Sequence, residues 1–167
     1  MTDRRKYSIK LLVVLAVVFW TNITFADFAG KVVAVKDGDT LEVMKEGVAV
    51  RVRLYGIDCP EKGQAFGQRA KQAASDLTFG RTVKVIERDR DRYGRTVGEV
   101  IMQDGRSLNR ELVRAGLAWW YRHYAKKDAE LARLEEAARE AKLGLWADAD
   151  PVPPWNWRKE RRPKLRR

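Results

Sequence analysis

The chain has 167 residues, a formal net charge of +11 and a single cysteine, Cys59. That length suits one domain with a hydrophobic core and excludes two large ones, and one cysteine excludes an internal disulfide. The charge is uneven: Arg4, Arg5, Lys6 and Lys10 against Asp3 give +3 over residues 1–26, seven Lys/Arg against Glu160 give +6 over residues 158–167, and +2 remains for residues 27–157. A near-neutral body with a basic C-terminal tail suits a polyanionic partner such as nucleic acid. The bland alternative is a tail that only aids solubility.

Residues 1–26 read as a secretory signal peptide. Met1–Lys10 is a basic opening, Leu11–Trp20 is an apolar run, and Thr24-Phe25-Ala26 ends in a small residue. The run falls below the ~18 residues of a membrane span. Cleavage is expected after Ala26, which gives a secreted or periplasmic protein with no membrane attachment. An uncleaved N-terminal anchor is the alternative, and with the basic tail on anionic lipid it would make a membrane-anchored interaction module.

The folded domain is expected over residues 27–147. Lys31–Val35 is β-branched and runs into Asp37-Gly38, a tight-turn dipeptide. Thr40–Met44 is a second strand, and Lys45-Glu46-Gly47 is the next turn. Val48, Val50, Val52 and Leu54 then alternate with Ala49, Arg51, Arg53 and Tyr55, the pattern of a half-buried strand. Folding about Glu46–Gly47 sets Thr40 opposite Arg53, and folding about Asp37–Gly38 sets it near Val35. Asp39, Arg53 and the Asp58 turn then gather at one end of a three-stranded meander.

Gln64–Phe79 reads as a helix with Phe66, Ala70, Ala73 and Leu77 on one face and Gly80 as its stop. Thr82–Glu87 and Thr96–Met102 are two further strands joined by the charged loop Arg88–Arg95. Ser107–Ala115 is a short helix. Asp128–Leu143 is a longer one, with Leu131, Leu134, Ala138 and Ala141 on one face. Leu145-Trp146 is expected to fold back onto the core. Residues 148–167 form a Pro-, Trp- and Arg-rich basic tail, and from Pro151 onward it reads as a poorly ordered extension. Five strands with one helix after the third and two at the end predict an α+β fold, a five-stranded Greek-key barrel of the oligonucleotide-binding type with three helices.

Chemistry concentrates in three stretches. They are Asp37-Gly38-Asp39-Thr40, Arg53-Leu54-Tyr55-Gly56-Ile57-Asp58-Cys59-Pro60-Glu61 and Asp91-Arg92-Tyr93-Gly94-Arg95. Two aspartates and a turn carbonyl are hard oxygen donors that suit a calcium ion, with waters completing its shell. Two guanidiniums match the equatorial oxygens of a pentacoordinate phosphorus, and a further carboxylate can accept a proton from water. Taken singly, these stretches read as a turn, a solvated strand face and a charged loop. Their joint occurrence and order carry the chemical reading.

The same three stretches, followed by Leu112-Val113-Arg114-Ala115-Gly116-Leu117-Ala118, closely resemble the staphylococcal nuclease family from about Lys31 to Trp146. The resemblance implies a calcium-dependent endonuclease that cleaves DNA and RNA with little base specificity, breaks the P–O5′ bond and leaves 3′-phosphate ends. It implies Asp39 and Asp58 as calcium ligands, with the backbone carbonyl of Cys59 as a third. Glu61 resembles the carboxylate that activates or orients the water. Arg53 and Arg95 resemble the phosphate-binding arginines, with Arg95 nearer the leaving oxygen, and Tyr93 resembles a tyrosine that bonds the substrate phosphate. No protein partner is evident, and a monomer is expected.

The departures from the family pattern are specific. Its founding member has threonine where Cys59 stands, a swap that spares a main-chain ligand. The link from Glu61 to the first helix lacks the prototype's longer basic loop. Trp119-Trp120-Tyr121-Arg122-His123-Tyr124 lies where the prototype carries base-stacking tyrosines. Tyr124 aligns with one of these, and Tyr121 or Arg122 is placed to serve as the other, since aromatic faces stack on any base. The two tryptophans are expected in the core. His123, the only histidine, is not needed by a carboxylate–arginine site. A noncatalytic nucleic-acid-binding barrel is the competing reading, and the presence of all five catalytic positions argues against it.

Overall fold

The structure is a computed structural model that describes residues 26–161. The expected leader, apart from Ala26, and the last six residues of the basic tail lie outside the described residues. Five strands close a barrel: β1 (Phe28–Asp37), β2 (Thr40–Lys45), β3 (Val48–Leu54), β5 (Thr82–Arg90) and β6 (Thr96–Ile101). Their order around the barrel is β1-β2-β3-β6-β5, with β5 returning to β1. All neighbours are antiparallel except β3 and β6, which run parallel. This is the expected α+β barrel. Val32, Leu41, Val43, Val52, Leu54, Val83, Val85 and Val100 fill its interior and are essentially solvent-free. The period-two alternation of β3 sends Val52 and Leu54 inward and leaves Arg53 on the opposite face.

Two short strands, β4 (Ile57–Asp58) and β7 (Trp119–Trp120), pair outside the barrel, Ile57 opposite Trp120 and Asp58 opposite Trp119. Helix α1 (Gly67–Thr78) packs on β1, and α2 (Leu108–Arg114) packs among α1, β6 and α3 (Ala129–Glu140). Ser107 caps α2 through the N–H of Arg110, and Asp128 caps α3 through the N–H of Leu131. A 3₁₀ turn at Gly144–Ala147 buries Leu145 and Trp146, as their apolar character predicts.

Four details differ from the sequence reading. The first hairpin turns on Gly38–Asp39, so Asp37, not Val35, faces Thr40, and a bulge between Val35 and Asp37 absorbs the shift. The second hairpin has Thr40 opposite Arg53 as expected. The buried face of α1 is Gly67, Ala70, Ala74 and Thr78, rotated from the Phe66–Leu77 stripe. Phe66 stands outside the helix at φ 66° and packs against a separate tryptophan cluster. In α3 the fourth buried residue is Glu135 and Ala141 is exposed, because Glu135 accepts the N–H of Trp120 and pairs with Arg122.

The largest difference is in the tail. Pro154–Glu160 forms a fourth helix, α4, where an irregular extension was expected. Pro154 lies in its first turn, where the missing N–H costs nothing. The ring of Trp155 supplies the packing that holds it, with centroids 5.6 Å from Trp119 and 5.3 Å from Tyr121. No helix among the described residues is long and apolar enough to cross a membrane.

Candidate active site and nucleic-acid cleft

The turn between β1 and β2 sets the first carboxylate. Asp39 is buried, and its Oδ1 accepts from the Thr40 hydroxyl at 3.1 Å while its Oδ2 accepts from the Cys59 N–H at 2.8 Å. Gly38 makes this approach feasible, since a Cβ there would lie 2.9 Å from both Cβ and Sγ of Cys59 and 2.8 Å from Ala70. The second carboxylate, Asp58, is held by the β4–β7 pairing and is 1% exposed. Arg53 braces the two, with Nη1 2.5 Å from Asp39 and Nη2 2.7 Å from Asp58. Burial opposes the charge on Arg53, but Asp39 and Asp58 outweigh it and hold the guanidinium pKa above its ordinary value. Burial pushes the Asp58 carboxyl up against the pull of Arg158 and Arg53.

Glu61 follows two residues after Cys59 on a tight path. A Cβ on Gly67 would overlap the Glu61 carbonyl oxygen, so glycine alone lets the start of α1 nest against this loop. The Gln64 side chain accepts the Glu61 N–H at 3.1 Å, and its amide donates to the Val152 carbonyl at 2.5 Å. The Glu61 carboxylate, 39% exposed, meets Arg158 of α4 at 2.6 Å. The same guanidinium lies 2.7 Å from Asp58 Oδ2 and 3.3 Å from Oδ1. Arg158 is a member of this site that the sequence reading missed, because it was assigned to an unstructured tail.

Arg95 is set by its own loop. Asp91 Oδ1 accepts the N–H groups of Tyr93 and Arg95, at 2.9 and 3.0 Å, and Oδ2 accepts from Arg95 Nε at 2.6 Å. Burial opposes ionisation of Asp91, but the Arg95 N–H, the Arg95 guanidinium and the Tyr93 N–H hold its pKa below the usual carboxylate range. The spacing of Asp91 and Arg95 on one short turn was the available signal for this role. Tyr93 is 70% exposed, with the guanidiniums of Arg92 and Arg95 over its ring.

Arg53, Arg95, Tyr93, Tyr121 and Tyr124 line one cleft of about 470 Å³. The sequence reading named all five; barrel closure brings Arg53 beside the β5–β6 loop that carries Tyr93 and Arg95, and the β4–β7 pairing brings in Tyr121 and Tyr124. Asp39, Asp58 and Glu61 lie beyond Arg53, whose ion pairs with the two aspartates join this carboxylate group to the cleft wall. Tyr124 is exposed, and the face of Tyr121 is stacked on Trp155 with an interplanar angle of 22°. Trp119 is buried against Trp146, and Trp120 donates its indole N–H to the Ala125 carbonyl, so both tryptophans pack as expected. His123 is exposed beside Tyr121 and Tyr124 and makes no ion pair with the carboxylates. Cys59 is a free, buried thiol whose pKa burial pushes well up, which shields it from exchange.

Residues 51–148 match the model of the staphylococcal nuclease homologue family. The chain belongs to the staphylococcal nuclease family. It is 48% identical over 154 residues to an uncharacterized endonuclease of Escherichia coli O157:H7, covering 92% of this chain and 97% of that protein. It is 45% identical over 157 residues to a micrococcal nuclease of Shigella flexneri, covering 88% and 90%. A staphylococcal-like nuclease of Arabidopsis thaliana is 37% identical over 144 residues, 84% of this chain and 44% of the plant protein. Family membership makes the chain a nuclease, a hydrolase of nucleic acid.

Calcium, which the family reading implies, meets a suitable donor set here. Among the described residues no three His, Cys, Asp or Glu side chains form a metal cage. The buried carboxylates of Asp39 and Asp58 are nevertheless hard oxygen donors joined through one guanidinium and through the Cys59 backbone. Two carboxylates, a main-chain oxygen and water suit calcium better than a soft metal. The donor chemistry of Asp39 and Asp58 fits a hard cation, with Arg158 bonded to both oxygens of Asp58.

Proposed function

We propose that the protein is an exported, calcium-dependent endonuclease that cleaves DNA and RNA with low sequence specificity and leaves 3′-phosphate ends. The observation that carries this reading is Arg53. It braces two buried carboxylates while lining the cleft that also holds Arg95 and three tyrosines. Asp39, Asp58 and the Cys59 carbonyl would hold calcium, which when bound polarises the phosphoryl group toward attack. Arg53 and Arg95 grip the phosphate and offset the charge that grows on it in the transition state. Glu61 orients the attacking water and takes its proton. Tyr93 bonds a phosphate oxygen, and Tyr121 and Tyr124 stack on bases of any identity, which accounts for low specificity. Export rests on the basic-then-apolar N-terminal sequence.

The test is cleavage of supercoiled DNA by the chain starting at Asp27, with calcium and with excess chelator, followed by end-group analysis. Calcium-dependent cutting with 3′-phosphate ends is the expected result. DNA binding without cutting would assign a noncatalytic barrel instead. Glu61→Ser and Arg95→Gly should each lower turnover by about 10²-fold or more with circular dichroism unchanged. Near-normal turnover in either variant would overturn the assignment of that residue.

A further inference from the structure

Helix α4 places a cation where the family reading needs a metal ligand free. Arg158 takes both oxygens of Asp58, and one of its nitrogens also reaches Glu61. Arg53 already donates to Asp58 Oδ1. Three carboxylates, Asp39, Asp58 and Glu61, thus face two guanidiniums. A divalent ion added to that set leaves an excess of positive charge, whereas a divalent ion replacing Arg158 balances the three carboxylates together with Arg53. The charge count favours exchange over coexistence.

The helix is built to be exchanged. It has seven residues, too few to persist as a helix without docking. It is held by Arg158, by Trp155 against Trp119 and Tyr121 and by the buried Pro154, and the Gln64 side chain bonds the carbonyl of Val152 just before it. Arg158 is 42% exposed and can return to water, but Asp58 is 1% exposed, so its release is favourable only when the incoming ion takes over that buried carboxylate. Trp155 covers the face of Tyr121, so the undocking that frees Asp58 also uncovers a base-stacking ring.

We propose that α4 is an internal competitor for calcium: Arg158 holds Asp58 and Glu61 until the ion displaces it, and the same movement lifts Trp155 from Tyr121. This rests on the assignment of Asp39 and Asp58 as calcium ligands. A helix docked about nine-tenths of the time weakens apparent calcium affinity about tenfold.

The experiment is a calorimetric calcium titration without nucleic acid, on the full chain and on Arg158→Gln, Trp155→Ala and Asp58→Asn, each checked for fold by circular dichroism. Arg158→Gln removes the competing charge, and Trp155→Ala undocks the helix with the arginine retained. Both should bind calcium about tenfold tighter than the parent, and Asp58→Asn should lose binding. Unchanged or weaker affinity in Arg158→Gln, with binding lost in Asp58→Asn, would overturn the competition and leave the metal assignment standing. A gain confined to Arg158→Gln would overturn the coupling to Tyr121 through the helix. Calcium binding by none of the chains would overturn both the competition and the metal assignment.

Discussion

Asp91 touches no substrate in the proposed chemistry, yet its carboxylate sets Arg95 through two hydrogen bonds and the Tyr93 N–H through a third. Asp91→Asn should lower turnover by about 10²-fold, the cost of an ångström-scale misplacement, with a smaller effect on the Michaelis constant for DNA; steady-state kinetics checks this. The depressed carboxyl pKa also has a stability consequence. Its contribution is present above the unfolded-state value of about 3.9 and is lost as pH falls through the lower native value. Acid melts should therefore show a steeper loss of Tm in the parent than in Asp91→Asn. Gly38 carries the opposite kind of constraint, steric and independent of pH. Gly38→Ala should destabilise by about 1–3 kcal/mol, because the new Cβ overlaps Cys59 and Ala70; chemical denaturation measures it. Cys59→Thr should keep calcium dependence, since the proposed ligand there is a main-chain oxygen.

At the scale of elements, the Asp58 turn is fixed from behind by α2. Asn109, 2% exposed, accepts the Val100 N–H at 3.1 Å and donates to the Tyr55 carbonyl at 2.9 Å. One side chain thus ties β6 to the turn that leads into β4. Asn109→Ala leaves buried backbone groups unpaired and should cost about 1–3 kcal/mol in stability, with turnover falling further than thermal stability alone accounts for. Sequence legibility divides along the same lines. Alternation placed Arg53 on the outer face of β3, and the turn at Glu46–Gly47 paired it with Thr40, because local periodicity and tight turns determine those features. Helix α4 was illegible because nothing local makes it. Pro153, Pro154 and two tryptophans read as irregular, and Trp155 finds its place against Trp119 and Tyr121, more than thirty residues earlier, and the cluster around Trp146. The rotated face of α1 has a similar cause, since Gly67 must meet the Glu61 carbonyl.

For the whole molecule, the +11 charge lies mostly at the ends, with four Lys/Arg in residues 162–167 beyond α4. Removing those six residues leaves Arg158 in place. It should weaken DNA binding and make the dependence of log affinity on log salt shallower, by about one unit for each phosphate no longer neutralised; an unchanged slope would show that the tail meets no phosphate. The parallel pairing of β3 with β6 carries another consequence. Arg53 lies opposite Val97, so the strand pair that closes the barrel also brings Arg53 and Arg95, the two arginines proposed to bind phosphate, to one cleft. That pair joins segments some forty residues apart, a separation whose loop-closure entropy slows folding. A refolding chain therefore gains helices and hairpins before it can bring Arg53 and Arg95 to one cleft. Recovery of catalysis after dilution from denaturant should lag behind recovery of far-ultraviolet ellipticity, which makes turnover a clock for the closing strand pair.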